Sequence, residues 1–435
     1  MTFFIETFGC QMNKSDSDII ALSLVSAGYD RTDDQKNADI IIFNTCSVRK
    51  NAEDRAIARL TEASNRRPVR PMVIVAGCLA QHIGKRLIDE GICNIAVGPY
   101  QSPELPSLIC AYLEDSTRNL HTSVQRDEFA ERLPRALVGC KTDDYWHRWV
   151  TITHGCENFC TYCIVPFVCG PLLSFPSSDI LDFIRQLPDE GVIEVSLLGQ
   201  NVNQYGQDSG DIPFYSLLER ASSVPGIEKV NFLTSHPKDL DDNIIRVMAE
   251  NQACARALHL PLQSGSDNIL HRMNRSYDFS HYMSIVEKLN TRGTFSLTTD
   301  IIVGFPGETD DDFKMTLDAV REIGYDDAYM YAYSPREGTE SADYDDHVPD
   351  DVKAERLRVL IDTQRKMGAQ KISRYIGMKS AFIAERISKR NEAELSGKTM
   401  LNHQAVVPGG ADLIGTMNEI TITDIRGATL YGTIQ

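Results

Sequence analysis

The first hundred residues alternate short apolar runs with amphipathic segments. The apolar runs have the length of strands and read "FFIETFG", "ADIIIFNT", "PMVIVAG" and "IAVG". Between them lie segments with helical periodicity, such as "SDSDIIALSLVSAG" and "AEDRAIARLTEA". Buried parallel strands joined by crossover helices produce this alternation. The pattern predicts a parallel α/β domain over residues 1–135, with a mixed, proline-interrupted stretch from about residue 99.

A second alternation begins at Trp149. Six apolar runs follow, separated by helical patterns: "WVTIT", "IEVSLLG", "KVNFLTS", "ALHLPLQ", "TFSLTTDIIVGF" and "DAYMYAYS". We expect Thr309 to cap the helix "DDDFKMTLDAVREIG", because threonine is a good N-cap and the first turn is acidic. Six β/α repeats predict a partial (β/α)6 barrel over residues 136–370. Its active site would lie at the C-terminal ends of the strands.

The last segment, residues 371–435, changes to short β runs separated by glycine turns. This pattern predicts a small antiparallel β-barrel. The whole chain carries 61 acidic and 44 basic residues, a net charge of −17, which argues against one large basic face for nucleic acid. The last segment has eight basic residues against six acidic ones. A nucleic-acid-binding site is therefore expected to be local and to lie there.

The cysteines point to metal chemistry rather than to disulfides. The chain starts without a secretion signal and contains no 18-residue apolar stretch, so we expect a cytoplasmic protein without membrane contact. Thiols stay reduced in the cytoplasm, and grouped cysteines there more often bind metal or catalyse. The question is which of the eleven cysteines are ligands.

Three cysteines follow the first strand of the predicted barrel. Cys156, Cys160 and Cys163 form the pattern C-x3-C-x2-C. Three thiolates suit an iron–sulfur cluster with one iron left open for a small molecule. The alternative is a zinc scaffold, but zinc prefers four ligands in paired groups, and the sequence has no second pair.

Three more cysteines each follow an apolar run of the first domain. Cys10, Cys46 and Cys78 are separated by 36 and 32 residues, the length of a βαβ repeat. Parallel strands would bring their thiols to one edge of the sheet, where ligand sites collect. We expect a second three-cysteine cluster, the alternative being three buried core thiols. The ungrouped cysteines are expected to be ordinary buried thiols: Cys93, Cys110, Cys140 and Cys254.

The motifs around these cysteines resemble the radical S-adenosylmethionine (SAM) methylthiotransferases from end to end. The matching stretches are "TFGCQMNKSDSD", "NTCSVRKNAE", "GCENFCTYCIVPF", "LLGQNVNQYG", "PLQSGSDNIL", "MNRSY" and "TDIIVGFPGET". Within the family, "GCQMN" and "NTCSVR" are similar to the MiaB branch, which modifies isopentenyladenosine next to the tRNA anticodon. The resemblance extends to a C-terminal TRAM domain.

The resemblance implies two 4Fe-4S clusters and SAM as cofactors. SAM would bind the cluster on Cys156, Cys160 and Cys163 and yield a 5′-deoxyadenosyl radical that takes hydrogen from carbon 2 of the adenine at tRNA position 37. The cluster on Cys10, Cys46 and Cys78 would hold the sulfur, which a second SAM methylates. The implied partners are the tRNA anticodon stem-loop and an electron donor such as a flavodoxin or ferredoxin. A monomer is expected.

The resemblance also implies SAM contacts at the strand ends. The candidate residues are Gly199, Gln200, Asn201, Gln263, Ser264, Ser266 and Gly304. Glycine turns and helix capping are the alternative roles for these residues. Charge and stacking on small barrels bind single-stranded RNA. The candidate RNA contacts in the TRAM-like segment are Lys379, Arg386, Lys389, Arg390 and Lys398.

One loop departs from the family pattern V-P-x-x-R-G-x-E-x-S-R. Cys169, Leu172 and Phe175 stand where the pattern has arginine, glutamate and arginine. The loss of the two arginines is expected to weaken binding of the SAM carboxylate or an RNA phosphate, because each such charge-assisted hydrogen bond contributes about 1.5 to 3 kcal/mol. The alternative functions are the same chemistry on threonylcarbamoyladenosine or a ribosomal protein, and a catalytically impaired iron–sulfur tRNA-binding protein.

Overall fold

The N-terminal domain is a six-stranded parallel sheet. The computed structural model describes residues 1–9, 11–46, 50–65, 71–123 and 145–435. The strands of the sheet are β1 (Thr2–Phe8), β2 (Asp30–Arg31), β3 (Ile40–Thr45), β4 (Met72–Gly77), β5 (Ile95–Val97) and β6 (Asn119–His121). Their order is β2-β1-β3-β4-β5-β6, and every adjacent pair is parallel.

Helices cover both faces of this sheet. They are α1 (Gln11–Ser26), α2 (Lys50–Ser64), α3 (Cys78–Asp89) and α4 (Leu105–Asp115). Every residue of β3 and β4 is buried, because side chains on both faces of these strands enter apolar clusters. The stretch after residue 99 belongs to the same domain. Pro106 lies in the first turn of α4, where a missing backbone N–H costs little.

The middle domain is the predicted partial barrel. Its strands are β7 (His147–Thr151), β8 (Thr153–His154), β9 (Leu173–Ser174), β10 (Glu194–Leu198), β11 (Lys229–Phe232), β12 (Ala257–His259), β13 (Ser296–Val303) and β14 (Asp327–Ala332). The strands β7, β10 and β11 form one parallel sheet, and β12, β13 and β14 form another. A parallel bridge from Val230 to Cys254 joins the two. All six predicted strands are confirmed.

Helices surround the partial barrel. They are α5 (Val165–Cys169), α6 (Ser177–Gln186), α7 (Phe214–Ala221), α8 (Asp242–Glu250), α9 (Asp267–Arg272), α10 (Phe279–Arg292), α11 (Asp310–Ile323) and α12 (Asp350–Ile372). Thr309 caps α11 as predicted, in a reciprocal capping box with Asp312. Of the domain limits expected from the sequence, 135/136 lies outside the described residues and 370/371 falls in the last turn of α12. In the part of the chain that is described, no helix is both long and apolar enough to cross a bilayer.

The C-terminal domain is a closed five-stranded barrel. Its strands are β15 (Lys379–Ser388), β16 (Asn391–Thr399), β17 (Gln404–Pro408), β18 (Met417–Arg426) and β19 (Thr429–Ile434). The order is β15-β16-β17-β19-β18, and the neighbours are antiparallel except for β17 and β19, which are parallel. This confirms the predicted small barrel and adds one parallel pair to it.

A buried lysine of the middle domain, paired with a glutamate of the same domain, links it to this barrel. The Lys229 ammonium lies 3.2 Å from the Glu194 carboxylate and donates to the carbonyl of Thr399 at 3.1 Å. The Lys229 side chain is fully buried. Burial opposes ionisation of Glu194, but the ammonium of Lys229 holds the pKa of this carboxyl below its ordinary value.

We expect Lys229→Met to lower the free energy of unfolding by about 3 to 5 kcal/mol, because it leaves the Glu194 charge buried without its partner. The measurement is denaturant unfolding. The control is Lys229→Met combined with Glu194→Gln, which removes the charge as well and should recover most of the loss. Equal stability of the single and double variants would contradict this explanation.

Candidate active site

The three cysteines of the C-x3-C-x2-C loop lie together after β8. Burial and the neighbouring Cys160 sulfur raise the pKa of Cys163 to about 12, and burial also raises the pKa of Cys156. These thiols need a cation beside them to exist as thiolates, which the irons of a cluster provide. Among the described residues, no three histidine, cysteine, aspartate or glutamate side chains converge on a position for a single metal ion. An iron–sulfur cluster instead spaces its ligands around several atoms.

The segment "MNRSY" holds one side of this loop. The guanidinium of Arg275 is buried and donates to the Cys160 sulfur at 3.4 Å and to the Tyr277 hydroxyl at 3.0 Å. The amide of Asn274 donates to the carbonyl of Phe159 at 2.9 Å. This segment matches the family in sequence, but its contacts with the cysteine loop become visible only in the structure.

Polar side chains after β10 and β11 hold the other side of the loop. The amide of Asn158 donates to the Cys156 sulfur at 3.6 Å, and its oxygen accepts from the ammonium of Lys238 at 2.6 Å. Asn201 donates to the carboxylate of Asp239 at 2.7 Å. The cysteine loop is therefore tied to the strand ends where the SAM contacts are expected.

Buried polar atoms without a protein partner collect at the C-terminal ends of four barrel strands. They belong to Thr151, Thr153, Gln200, Asn201, Asn203, Gln204, Ser235, His236 and Gln263. Unpaired buried polar groups are rare because each costs free energy, and ligand sites are a common explanation. SAM carries an amine, a carboxylate, ribose hydroxyls and an adenine, so its donors and acceptors match this set. Gln200, Asn201 and Gln263 were predicted, and the others were not.

His236 presents a donor to this region. Its Nδ1 accepts from the backbone N–H of Lys238 at 3.2 Å, and its Nε2 has no partner. Burial lowers the pKa of His236, so the ring is neutral and its proton lies on Nε2. The motif "TSHPKD" that contains it was not singled out from the sequence.

The two predicted serines have partners inside the protein. The Ser264 hydroxyl lies 3.2 Å from the Thr316 hydroxyl. Ser266 caps α9 and donates to the carboxylate of Asp312. Helix capping and packing thus account for their hydroxyls in this structure.

Packing also explains two of the predicted glycines. A Cβ at Gly199 would lie 2.0 Å from the Thr153 hydroxyl oxygen. A Cβ at Gly304, where φ is 70°, would lie 2.1 Å from the Lys353 side chain. Both positions require glycine because neighbouring protein atoms fill the space.

The second cysteine group lies at the C-terminal ends of the central strands of the N-terminal sheet. Thr45 of β3 pairs with Gly77 of β4, so Cys46 and Cys78, which follow them, leave the sheet side by side. Cys46 is buried and Cys78 is half-buried. Cys10, the third expected ligand, lies outside the described residues.

Arg336 lies between the two cysteine groups. Burial lowers the pKa of its guanidinium, and the Glu53 carboxylate 3.7 Å away acts in the opposite direction, as do the sulfurs of Cys46 and Cys163. One guanidinium is thus within electrostatic reach of both groups. Arg336 lies outside the motifs that marked the site in the sequence.

Known proteins match the chain over its whole length. Residues 2–98 match the uncharacterized protein family UPF0004, and residues 150–320 match the radical SAM superfamily. A tRNA-2-methylthio-N(6)-dimethylallyladenosine synthase from Carboxydothermus hydrogenoformans is 40% identical over 100% of this chain and 99% of its own. A synthase of the same name from Thermoanaerobacter sp. is 38% identical over 99% and 92%. The chain belongs to this radical SAM synthase family.

Solved structures share the fold. The radical SAM methyltransferase TsrM from Kitasatospora setae, with cobalamin and a [4Fe-4S] cluster bound, aligns with a TM-score of 0.56 at 12% identity, over 91% of this chain and 80% of that one. The cobalamin-dependent SAM radical enzyme OxsB, with aqua-cobalamin and SAM bound, gives 0.52 at 12% identity, over 83% and 56%. These likenesses confirm the predicted architecture.

The loop that departs from the family pattern is apolar and buried. Leu172 and Phe175 are each 1% exposed and Cys169 is 4% exposed. The Phe175 ring packs edge-on against the His154 ring, with centroids 5.7 Å apart. Because Leu172 and Phe175 have almost no open surface, they do not line a ligand site. The positions of these two side chains therefore do not support the expectation that the missing charges weaken binding of SAM or RNA.

The Cys169 thiol belongs to the second cysteine group. Its sulfur lies 3.7 Å from the Cys78 sulfur, and the Tyr100 hydroxyl donates to its carbonyl. Of the other cysteines, Cys93 and Cys254 are buried as expected. The expectation for Cys110 was wrong, since its thiol is exposed beside the Tyr29 hydroxyl, and Cys140 lies outside the described residues.

The five predicted RNA contacts are all exposed on the C-terminal barrel. Lys389 and Arg390 form the turn between β15 and β16, and Arg386 lies near the end of β15 beside it. Lys379, at the start of β15, forms an ion pair of 3.0 Å with Glu419. Lys398 lies near the end of β16. The turn therefore carries the densest positive charge of this set.

We expect Phe175→Arg to lower the free energy of unfolding by about 3 to 5 kcal/mol, because the guanidinium would be buried without a partner. Phe175→Leu, the matched control, keeps an apolar side chain and should cost about 1 kcal/mol. Denaturant unfolding measures both. Similar stabilities for the two variants would show that position 175 is open to solvent or ligand.

Proposed function

We propose that this protein adds a methylthio group to carbon 2 of N(6)-isopentenyladenosine at position 37 of tRNA. The observation that carries the proposal is its 38 to 40% identity, along essentially the whole chain, to synthases of tRNA-2-methylthio-N(6)-dimethylallyladenosine. These relatives favour neither a different substrate nor an inactive iron–sulfur protein.

The enzyme uses SAM and 4Fe-4S clusters. We assign the radical-generating cluster to Cys156, Cys160 and Cys163, and the second cluster to Cys10, Cys46 and Cys78. When bound, these groups would supply radical chemistry at carbon 2 of the adenine, and the sulfur and methyl group that are added there. The protein binds and orients the reactants and excludes water.

The unpaired polar side chains at the strand ends would orient SAM beside the first cluster. Gln200, Asn201 and Gln263 offer amide oxygens, and His236 offers a neutral N–H donor. Arg336 places a positive charge between the two sites, where it offsets the negative charge of the cysteine ligands. The buried apolar loop from Cys169 to Phe175 closes the back of the site against water.

In this proposal each domain has a separate role. Residues 1–135 hold the second cluster, residues 136–370 hold SAM and the radical cluster, and residues 371–435 bind RNA. The basic turn at Arg386, Lys389 and Arg390 would contact phosphates of the anticodon stem-loop. The enzyme would act as a monomer in the cytoplasm, with a flavodoxin or ferredoxin as electron donor.

The reaction can be tested by expressing this chain in a bacterial host that lacks its own synthase. Expression of this chain should restore 2-methylthio-N(6)-isopentenyladenosine in tRNA, measured by nucleoside mass spectrometry. The control chain with Cys156, Cys160 and Cys163 all changed to Ala should leave isopentenyladenosine without the methylthio group. A methylthio group on threonylcarbamoyladenosine instead would overturn the substrate assignment.

Iron content tests the two clusters. The anaerobically reconstituted chain should hold about eight irons, and the same triple Cys→Ala chain about four. A Cys46→Ala, Cys78→Ala chain should also fall to about four, because two of the second cluster's ligands are gone. About four irons in the unaltered chain would remove one of the two clusters from the proposal.

We expect Arg275→Gln to make the reduction potential of the radical cluster more negative. Arg275 carries a positive charge and donates a hydrogen bond to the Cys160 sulfur, and both stabilise the reduced cluster. The variant removes both. A redox titration followed by electron paramagnetic resonance measures the potential. Arg272→Gln, which alters an arginine paired with Asp346 near the surface, is the control and should leave the potential unchanged. Equal potentials in the two variants would contradict a role for Arg275 beside the cluster.

A further inference from the structure

Two cysteines from different domains are in contact at the second cluster site. Cys78 is the first residue of α3, and Cys169 is the last residue of α5. Their sulfurs lie 3.7 Å apart although the residues are 91 positions apart in the chain. The family pattern described above has arginine at position 169, so a relative that follows this pattern lacks this pair of thiols.

Neighbouring contacts hold both thiols in place. The Tyr100 hydroxyl donates to the Cys169 carbonyl, and the backbone N–H of Cys156 donates to the carbonyl of Gly170 at 3.2 Å. The side chain of Cys78 packs against the apolar cluster that contains Cys169. A disulfide requires the two sulfurs to approach from 3.7 Å to the bond length of about 2 Å.

The two thiols differ in access. Cys78 is half-buried, whereas Cys169 is buried. A small disulfide therefore meets Cys78 first, and Cys169 is the thiol already next to the sulfur that has reacted. Such an arrangement of an accessible thiol and a resolving thiol is typical of redox-sensing cysteine pairs.

We propose that Cys78 and Cys169 form a reversible disulfide in the chain that lacks its second cluster. The Cys78 thiolate attacks a low-molecular-weight disulfide such as glutathione disulfide and releases one glutathione thiolate. The Cys169 thiolate then attacks the Cys78 sulfur of the mixed disulfide and releases the second. The two cysteines lose two electrons and two protons, and the glutathione disulfide becomes two molecules of glutathione. A dithiol reductant reverses the reaction.

The disulfide withholds Cys78 from cluster assembly until the chain is reduced. This consequence rests on the proposed function, in which Cys78 is a ligand of the second cluster, whereas the disulfide itself rests only on the contact between the two sulfurs. Transient disulfides of this kind are the form in which reduced compartments use cysteine pairs. The second cluster would then assemble only under reducing conditions.

Peptide mapping tests the disulfide. The full-length chain without clusters is treated with an equimolar amount of glutathione disulfide, digested without reductant and analysed by mass spectrometry. The expected main product is a linked pair of peptides that contain Cys78 and Cys169, and it disappears after reduction. Cys254→Ser, which alters another buried thiol, should give the same linked pair. A main product that joins other cysteines would overturn the proposal.

Iron content tests the consequence. After the oxidation, reconstitution without a thiol reductant should give about four irons per chain, and prior reduction should restore about eight. The Cys169→Ser chain lacks the resolving thiol, so the same oxidation should leave Cys78 as its mixed disulfide with glutathione, seen by mass spectrometry as one added glutathione on the Cys78 peptide. Cys169→Ala should give the same product. Both variants should take up about eight irons before any oxidation. A Cys78 peptide without glutathione in both oxidised variants would overturn the proposal. Low iron in both variants before any oxidation would also overturn it, and would make Cys169 a cluster ligand.

The two measurements separate this inference from the proposed function. A missing link between Cys78 and Cys169 overturns the disulfide and leaves the methylthiotransferase assignment untouched. A link that forms without any loss of iron shows that Cys78 is not a ligand, and it overturns the assignment of the second cluster.

Discussion

The architecture of the site depends on the packing of α5 against α3. The helix α3 starts at Cys78 of the N-terminal domain, and α5 follows Cys163 of the middle domain after one residue. Apolar side chains of α5 pack against Cys78. Through this contact Cys78 meets Cys169 of the other domain, and Arg336 lies within electrostatic reach of both Cys46 and Cys163. A reaction that brings a radical and a sulfur to the same adenine requires this proximity.

The altered loop shows how a buried site tolerates the loss of charged residues. The family pattern has two arginines and a glutamate at positions that are buried in this chain. Burying an ionic group costs desolvation free energy, and well-packed apolar side chains of similar volume often replace it at no net cost. Leu172 and Phe175 fill their positions in this way. Cys169 differs from them because its thiol adds chemistry to the contact between α3 and α5.

Local patterns predicted most of the fold and half of the site. The strands β3 and β4 are apolar at nearly every position because both faces of the sheet are covered, and this made them visible in the sequence. The N-cap at Thr309 follows from its own side chain and the acidic turn after it. Arg275, His236 and Arg336 were missed because each is a single polar residue in a loop. Their partners, such as the Cys160 sulfur, come from distant parts of the chain.

The sequence by itself determined the two groups of three cysteines, the alternation of strands and helices, and the likeness to a family. These properties depend on residues close together in the chain or on a periodicity that repeats along it. Only the tertiary structure decided that Phe175 is buried in packing and that Cys169 lies against Cys78 of the N-terminal domain. The physical reason is that burial and contact depend on how segments far apart in sequence pack, and residue spacing within one loop does not contain that information.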